Sequence, residues 1–62
     1  MYKVHDKIKY RSYIRGKSEG VIVAIFKIID DIYNNAGVTV YLVAYDENCS
    51  EEFVFEENII ND

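Results

Sequence analysis

Sixty-two residues, half of them hydrophobic, with six tyrosines, three phenylalanines and no proline, exclude both a two-domain chain and a disordered tail. The net charge of −4 hides a polarised layout: residues 1–17 carry six of the seven cations and one acid, a net of +5, whereas residues 18–62 carry Lys27 and ten acids, a net of −9. Cys49 is the only cysteine, which excludes an internal disulfide and suits a reducing, cytoplasmic setting.

In chain order, Tyr2, Val4, Ile8 and Tyr10 fall on even positions and Lys3, His5, Lys7, Lys9 and Arg11 on odd ones. That period of two predicts a half-buried strand, with Asp6 marking a turn at its entry. Ser12 to Glu19, polar and containing Gly16, reads as a long loop closing at Gly20. Val21 to Ile29 is β-branched and almost wholly apolar, which predicts a strand covered on both faces. Ile22, Ile25, Phe26, Ile29, Ile32 and Tyr33 also fit a helical stripe, so a short helix over 26–35 stays open.

Asp30 to Gly37 has the composition of a hairpin connection. Val38 to Tyr45 reads as a strand apolar on both faces, Asp46 to Ser50 as a polar turn, and Glu51 to Glu56 as a short strand with Phe53 and Phe55 on one face. Glu57 to Ile60 is either one helical turn or a last short strand.

Short strands separated by turns, in a chain of this length, predict a small barrel. Val4-His5-Asp6-Lys7-Ile8-Lys9-Tyr10, Gly20-Val21-Ile22, Tyr41-Leu42-Val43-Ala44-Tyr45-Asp46 and Phe53-Val54-Phe55-Glu56-Glu57-Asn58-Ile59 resemble the SH3-like small β-barrels of the Tudor and KOW type. In that family a glycine commonly precedes the aspartate of the first turn, the position His5 holds here. The resemblance implies a mainly β single domain over 1–62, with about five short antiparallel strands and one helical turn near the C-terminus. It also implies a binding module for proteins, peptides or nucleic acids. In size and charge alone, the chain is also similar to small acidic proteins with which phages and mobile elements block host defences.

Catalysis needs a nucleophile or an acid/base group held by partners, and His5 and Cys49, single of their kinds, lie at opposite ends of the sequence. No zinc or calcium spacing occurs, so the expectation is a non-enzyme without cofactor or metal. Lys7, Lys9, Arg11, Tyr13, Arg15 and Lys17 would project to one side of an extended chain, a stripe fit for a nucleotide or nucleic acid, with Tyr13 to stack on a base. Lysines on an edge strand also block aggregation without any ligand. Tyr13 and Tyr33 fall in predicted loops, which makes Arg11, Tyr13, Arg15, Lys17 and Tyr33 the candidate contacts with a macromolecular partner, a protein before a nucleic acid.

The carboxylate pair Glu51 and Glu52, with Glu56 and Glu57, forms an alternative acidic face that would mimic nucleic-acid phosphate in a basic groove. A core this small supplies roughly 3–5 kcal/mol, so self-association into a homo-oligomer is a further expectation. The longest apolar run, Val21 to Phe26, is shorter than the ~20 residues a membrane span requires, and the N-terminus lacks a signal-like apolar stretch.

Overall fold

A computed structural model describes residues 2–28 and 37–60. The architecture is mainly β, and the described residues form five antiparallel strands in one sheet: β1 (Lys7–Ser12), β2 (Gly16–Ile28), β3 (Val38–Ala44), β4 (Glu51–Phe55) and β5 (Ile59–Ile60). Among the described residues a single 3₁₀ turn, Glu56–Asn58, precedes β5, so the C-terminal segment is both a helical turn and a short strand. The strand order is β4-β3-β2-β1-β5, a meander whose last strand returns to pair with β1.

From Lys7 the alternation resolves as expected, with Lys7, Lys9 and Arg11 exposed and Ile8, Tyr10 and Ser12 buried, but the strand does not extend back to Tyr2, and Val4 is exposed. Its entry is pinned twice. The Asp6 carboxylate accepts the Lys3 N–H at 2.9 Å, while His5 N–H donates to the Ile22 carbonyl and Ile22 N–H to the Asp6 carbonyl. His5 itself sits at φ +82°, a region where glycine is at ease and other L-residues are strained.

The predicted long loop from Ser12 to Glu19 is instead a tight hairpin. Tyr13, Ile14 and Arg15 make the turn, and Gly16 to Glu19 already belong to β2, with Ser12 opposite Gly16 and Lys9 opposite Glu19. Gly16 at φ +72° supplies the left-handed residue that closes so short a connection.

Gly20 is not a loop end either. It lies where β2 passes from pairing with β1 to pairing with β3, and a Cβ there would stand 2.4 Å from Val43 Cγ1 and 2.7 Å from the Ala44 carbonyl oxygen. Only a residue without a side chain lets the strands approach so closely.

β2 is a strand at least to Ile28, which sets aside the helical stripe over its described part, and Ile28 pairs with Val38. Ile29, Ile32 and Tyr33 lie outside the described residues, as does the predicted hairpin connection up to Ala36. A bulge between Ile22 and Ala24 shifts the register against β3 by one residue. Before it Ile22 points into the core opposite Val43, and after it Ala24, Phe26 and Ile28 share a face with Leu42, Val40 and Val38.

The core gathers Ile8, Tyr10, Ile22, Tyr41, Val43, Val54 and Ile59, covered at one end by Tyr2, whose ring meets Tyr41 edge-on at 5.8 Å. The sheet curls enough for β1 to touch β4, strands that are not neighbours in it, since the Tyr10 hydroxyl donates to Glu52 Oε2 at 2.7 Å.

Candidate binding surface

Three places on the described surface stand out, and Arg11, Tyr13, Arg15 and Lys17 fall in the first two. The first is a polar lock. Ser12 Oγ donates to Glu52 Oε1 at 2.9 Å and accepts the Ile14 and Arg15 backbone N–H groups, which ties the hairpin turn to β4. The Arg15 guanidinium donates to the Tyr10 hydroxyl at 3.0 Å, pairs with Glu52 and stacks over the Tyr45 ring, 3.5 Å from its centroid.

Both carboxylate oxygens of Glu52 are therefore engaged, Oε1 by Ser12 and Oε2 by Tyr10 and Arg15. Burial works against its ionisation, but the hydrogen bonds from Tyr10, Ser12 and Arg15 and the positive charge of Arg15 outweigh it and hold its pKa below the ordinary glutamate value. Burial first, and then the neighbouring Glu52, push the Tyr10 phenol upward.

The second place is the outer side of the β1–β2 hairpin. The extended stripe running through Lys17 does not form, because the chain reverses at Tyr13 to Arg15. Reversal brings Lys17 beside Arg11, so Lys7, Lys9, Arg11 and Lys17 occupy one face together with Glu19, whose carboxylate lies 3.9 Å from Lys7 Nζ. Arg15 leaves this set by folding back onto Glu52. At the apex Tyr13 and Ile14 are 84% and 88% exposed. Tyr13 was legible as a loop aromatic, whereas Ile14 carried no sequence signal beyond its place in a polar stretch.

The third place is the outer face of β2, β3 and β4. A recess of about 430 Å³ there is lined by Phe26, Ile28, Val40, Phe53 and Phe55. Phe53 is 64% exposed and Phe26 47%, and their rings meet at 6.1 Å. The pattern of Val21 to Ile29 predicts cover on both faces, but over the described part, to Ile28, only Ile22 is fully buried, and Val21, Val23, Ile25, Phe26 and Ile28 are 37–47% exposed.

The four glutamates of the acidic face separate. Glu51 and Glu57 are exposed, Glu56 is exposed while accepting the Tyr41 hydroxyl at 3.3 Å, and Glu52 is turned inward. His5 and Cys49 are both exposed, His5 before β1 and Cys49 in the β3–β4 turn. In that turn Asp46 Oδ1 accepts the Asn48 and Ser50 N–H groups, and the Ser50 N–H above all lowers the Asp46 pKa.

Among the described residues no three His, Cys, Asp or Glu side chains are grouped to hold a metal ion, and no helix is long and apolar enough to cross a membrane. Compared with protein-family models, curated proteins and solved structures, the chain matches none.

Proposed function

We propose that this protein is a stoichiometric, non-catalytic binding module for a macromolecular partner, built as a small barrel of the SH3-like type, and that the β1–β2 hairpin tip is part of the contact. One observation carries the reading: Tyr13 and Ile14, two large side chains almost wholly in water, stand on a turn whose base is fixed by Ser12 and Arg15 through Glu52. A fixed turn bearing exposed apolar side chains binds with little ordering cost. The long β2 shared by two halves of the sheet and the 3₁₀ turn before a short β5 support the resemblance in architecture.

The test is affinity capture with the tagged full chain from a lysate of the source cell, in parallel with a Tyr13→Ala/Ile14→Ser variant. The expected result is a partner retained by the parent and lost by the variant. Identical captured sets would remove the tip from the contact, and a turnover activity lost on His5→Ala or Cys49→Ala would overturn the non-catalytic reading.

A second reading, binding of a nucleotide or nucleic acid, is favoured by the gathering of Lys7, Lys9, Arg11 and Lys17 on one face. It predicts that Arg11→Ala and Lys17→Ala weaken binding of a single-stranded oligonucleotide and flatten its salt dependence. An affinity unchanged between about 50 and 200 mM salt rejects it.

A further inference from the structure

An antiparallel sheet with one solvated face normally turns polar side chains to water. The outer face of β2, β3 and β4 does the opposite. Register places Phe26 of β2 beside Val40 of β3 and Phe55 of β4, with Ala24, Leu42 and Phe53 forming the next row. A contiguous apolar face of this kind on a soluble domain marks an interaction site more often than chance exposure.

The surroundings of the face state the chemistry of its occupant. Glu51 shares the outward side of β4 with Phe53 and Phe55, and at the other end of the strand Glu56 and Glu57 border a second recess together with Phe55 and Val38. Lys27, the only cation among residues 18–62, lies opposite Thr39 and alternates to the other side from Phe26 and Ile28. Apolar ground is thus bounded by carboxylates at both ends of an edge strand. From Glu51 to Glu56 the strand runs about 17 Å, the length of some five extended residues.

Resting on the binding-module reading, we infer that this face receives a protein segment with apolar anchors flanked by lysine or arginine. A second copy that stacks this same face on itself is disfavoured as occupant, because it would bring the same carboxylates against their like.

The experiment titrates the isotope-labelled full chain with three synthetic peptides that share one set of leucine and phenylalanine anchors but carry flanking lysines, serines or glutamates. The lysine peptide is expected to shift the amide signals of Phe26, Val40 and Phe53 and to bind about tenfold more tightly than the serine peptide. Added salt reduces that advantage. Phe53→Ser, at a position 64% exposed, is expected to abolish binding of all three, with the amide spectrum of the variant checking that it stays folded. Glu56→Gln/Glu57→Gln retains an oxygen for Tyr41 and removes only the preference for lysine.

Equal affinity for the three peptides, shifts confined to the Tyr13 hairpin, or no binding at all overturns the inference. So does a dimer in light scattering that Phe53→Ser dissolves, since a second copy would then be the occupant. These failures leave the binding-module reading standing as long as the hairpin-tip variant loses its captured partner. If the parent chain captures no partner at all, the module reading itself falls.

Discussion

The two ends of β2 make opposite use of similar strand chemistry. Near its start the hairpin closes on Glu52, and each polar group brought out of water there has a partner: Tyr10, Ser12 and Arg15 all reach the same carboxylate. Near its end Phe26 and Ile28 lie on an apolar face that the described residues leave largely open. The first end is held by contacts that converge on one carboxylate, whereas at the second Phe26 and Ile28 are 47% and 45% exposed. Partnered polar groups thus gather beside one end of β2, and exposed apolar side chains lie at the other.

The largest expected effect breaks the lock. Glu52→Ala strands a hydroxyl pair and a guanidinium, and a loss of about 2–3 kcal/mol is expected, a large share of what so small a domain holds. Urea denaturation measures it, and a loss below about 0.5 kcal/mol would remove the lock from the stability account. The same group gives an acid limb. Its pKa is lower in the folded than in the unfolded chain, so its contribution is complete above the unfolded value of about 4.3 and is lost as pH falls through the lower folded value. Glu52→Gln should flatten the decline of the thermal midpoint on that acid side.

Gly20→Ala tests the junction between the two ends. The added methyl meets the Val43 side chain and the Ala44 backbone, and a loss of about 2 kcal/mol is expected by denaturation. His5→Gly should act in the other direction. Relief of the left-handed strain, less the greater freedom of the unfolded glycine chain, leaves a gain of roughly 0.5–1 kcal/mol. An unchanged or lowered midpoint would mean that the His5 side chain contributes contacts that offset its backbone.

The smallest effect sharpens the contrast: Phe53→Ser should move stability by no more than about 0.5 kcal/mol while removing peptide binding. A loss comparable to that of Glu52→Ala would show the outer face to be part of the folded core.

Much of the strand layout was legible because period-two patterning is local: the alternation in β1 and the pair Phe53 and Phe55 on one side of β4 needed no distant information. The hairpin was misread because glycine signals a turn and a close approach equally. Gly16 is the first case and Gly20 the second, and only the position of Val43 and Ala44 separates them. The role of Arg15 was hidden for a different reason. Its partner Glu52 lies 37 residues away, so nothing near it in sequence distinguishes a fixed guanidinium from a free one. The outer apolar face escaped because a strand apolar at nearly every position, as Val21 to Ile29 is, reads as covered on both faces, and the bulge at Val23 that sets which side chains face outward leaves no mark in that pattern.

The β3–β4 turn offers a practical consequence. Cys49 is the chain's single thiol, it is exposed, and its backbone N–H is fixed to the Asp46 carbonyl at 3.1 Å. A fluorophore or spin label attached to its sulfur would report from one defined station, close in sequence to the Tyr45 ring on which Arg15 stacks, with no engineered mutation needed to place it.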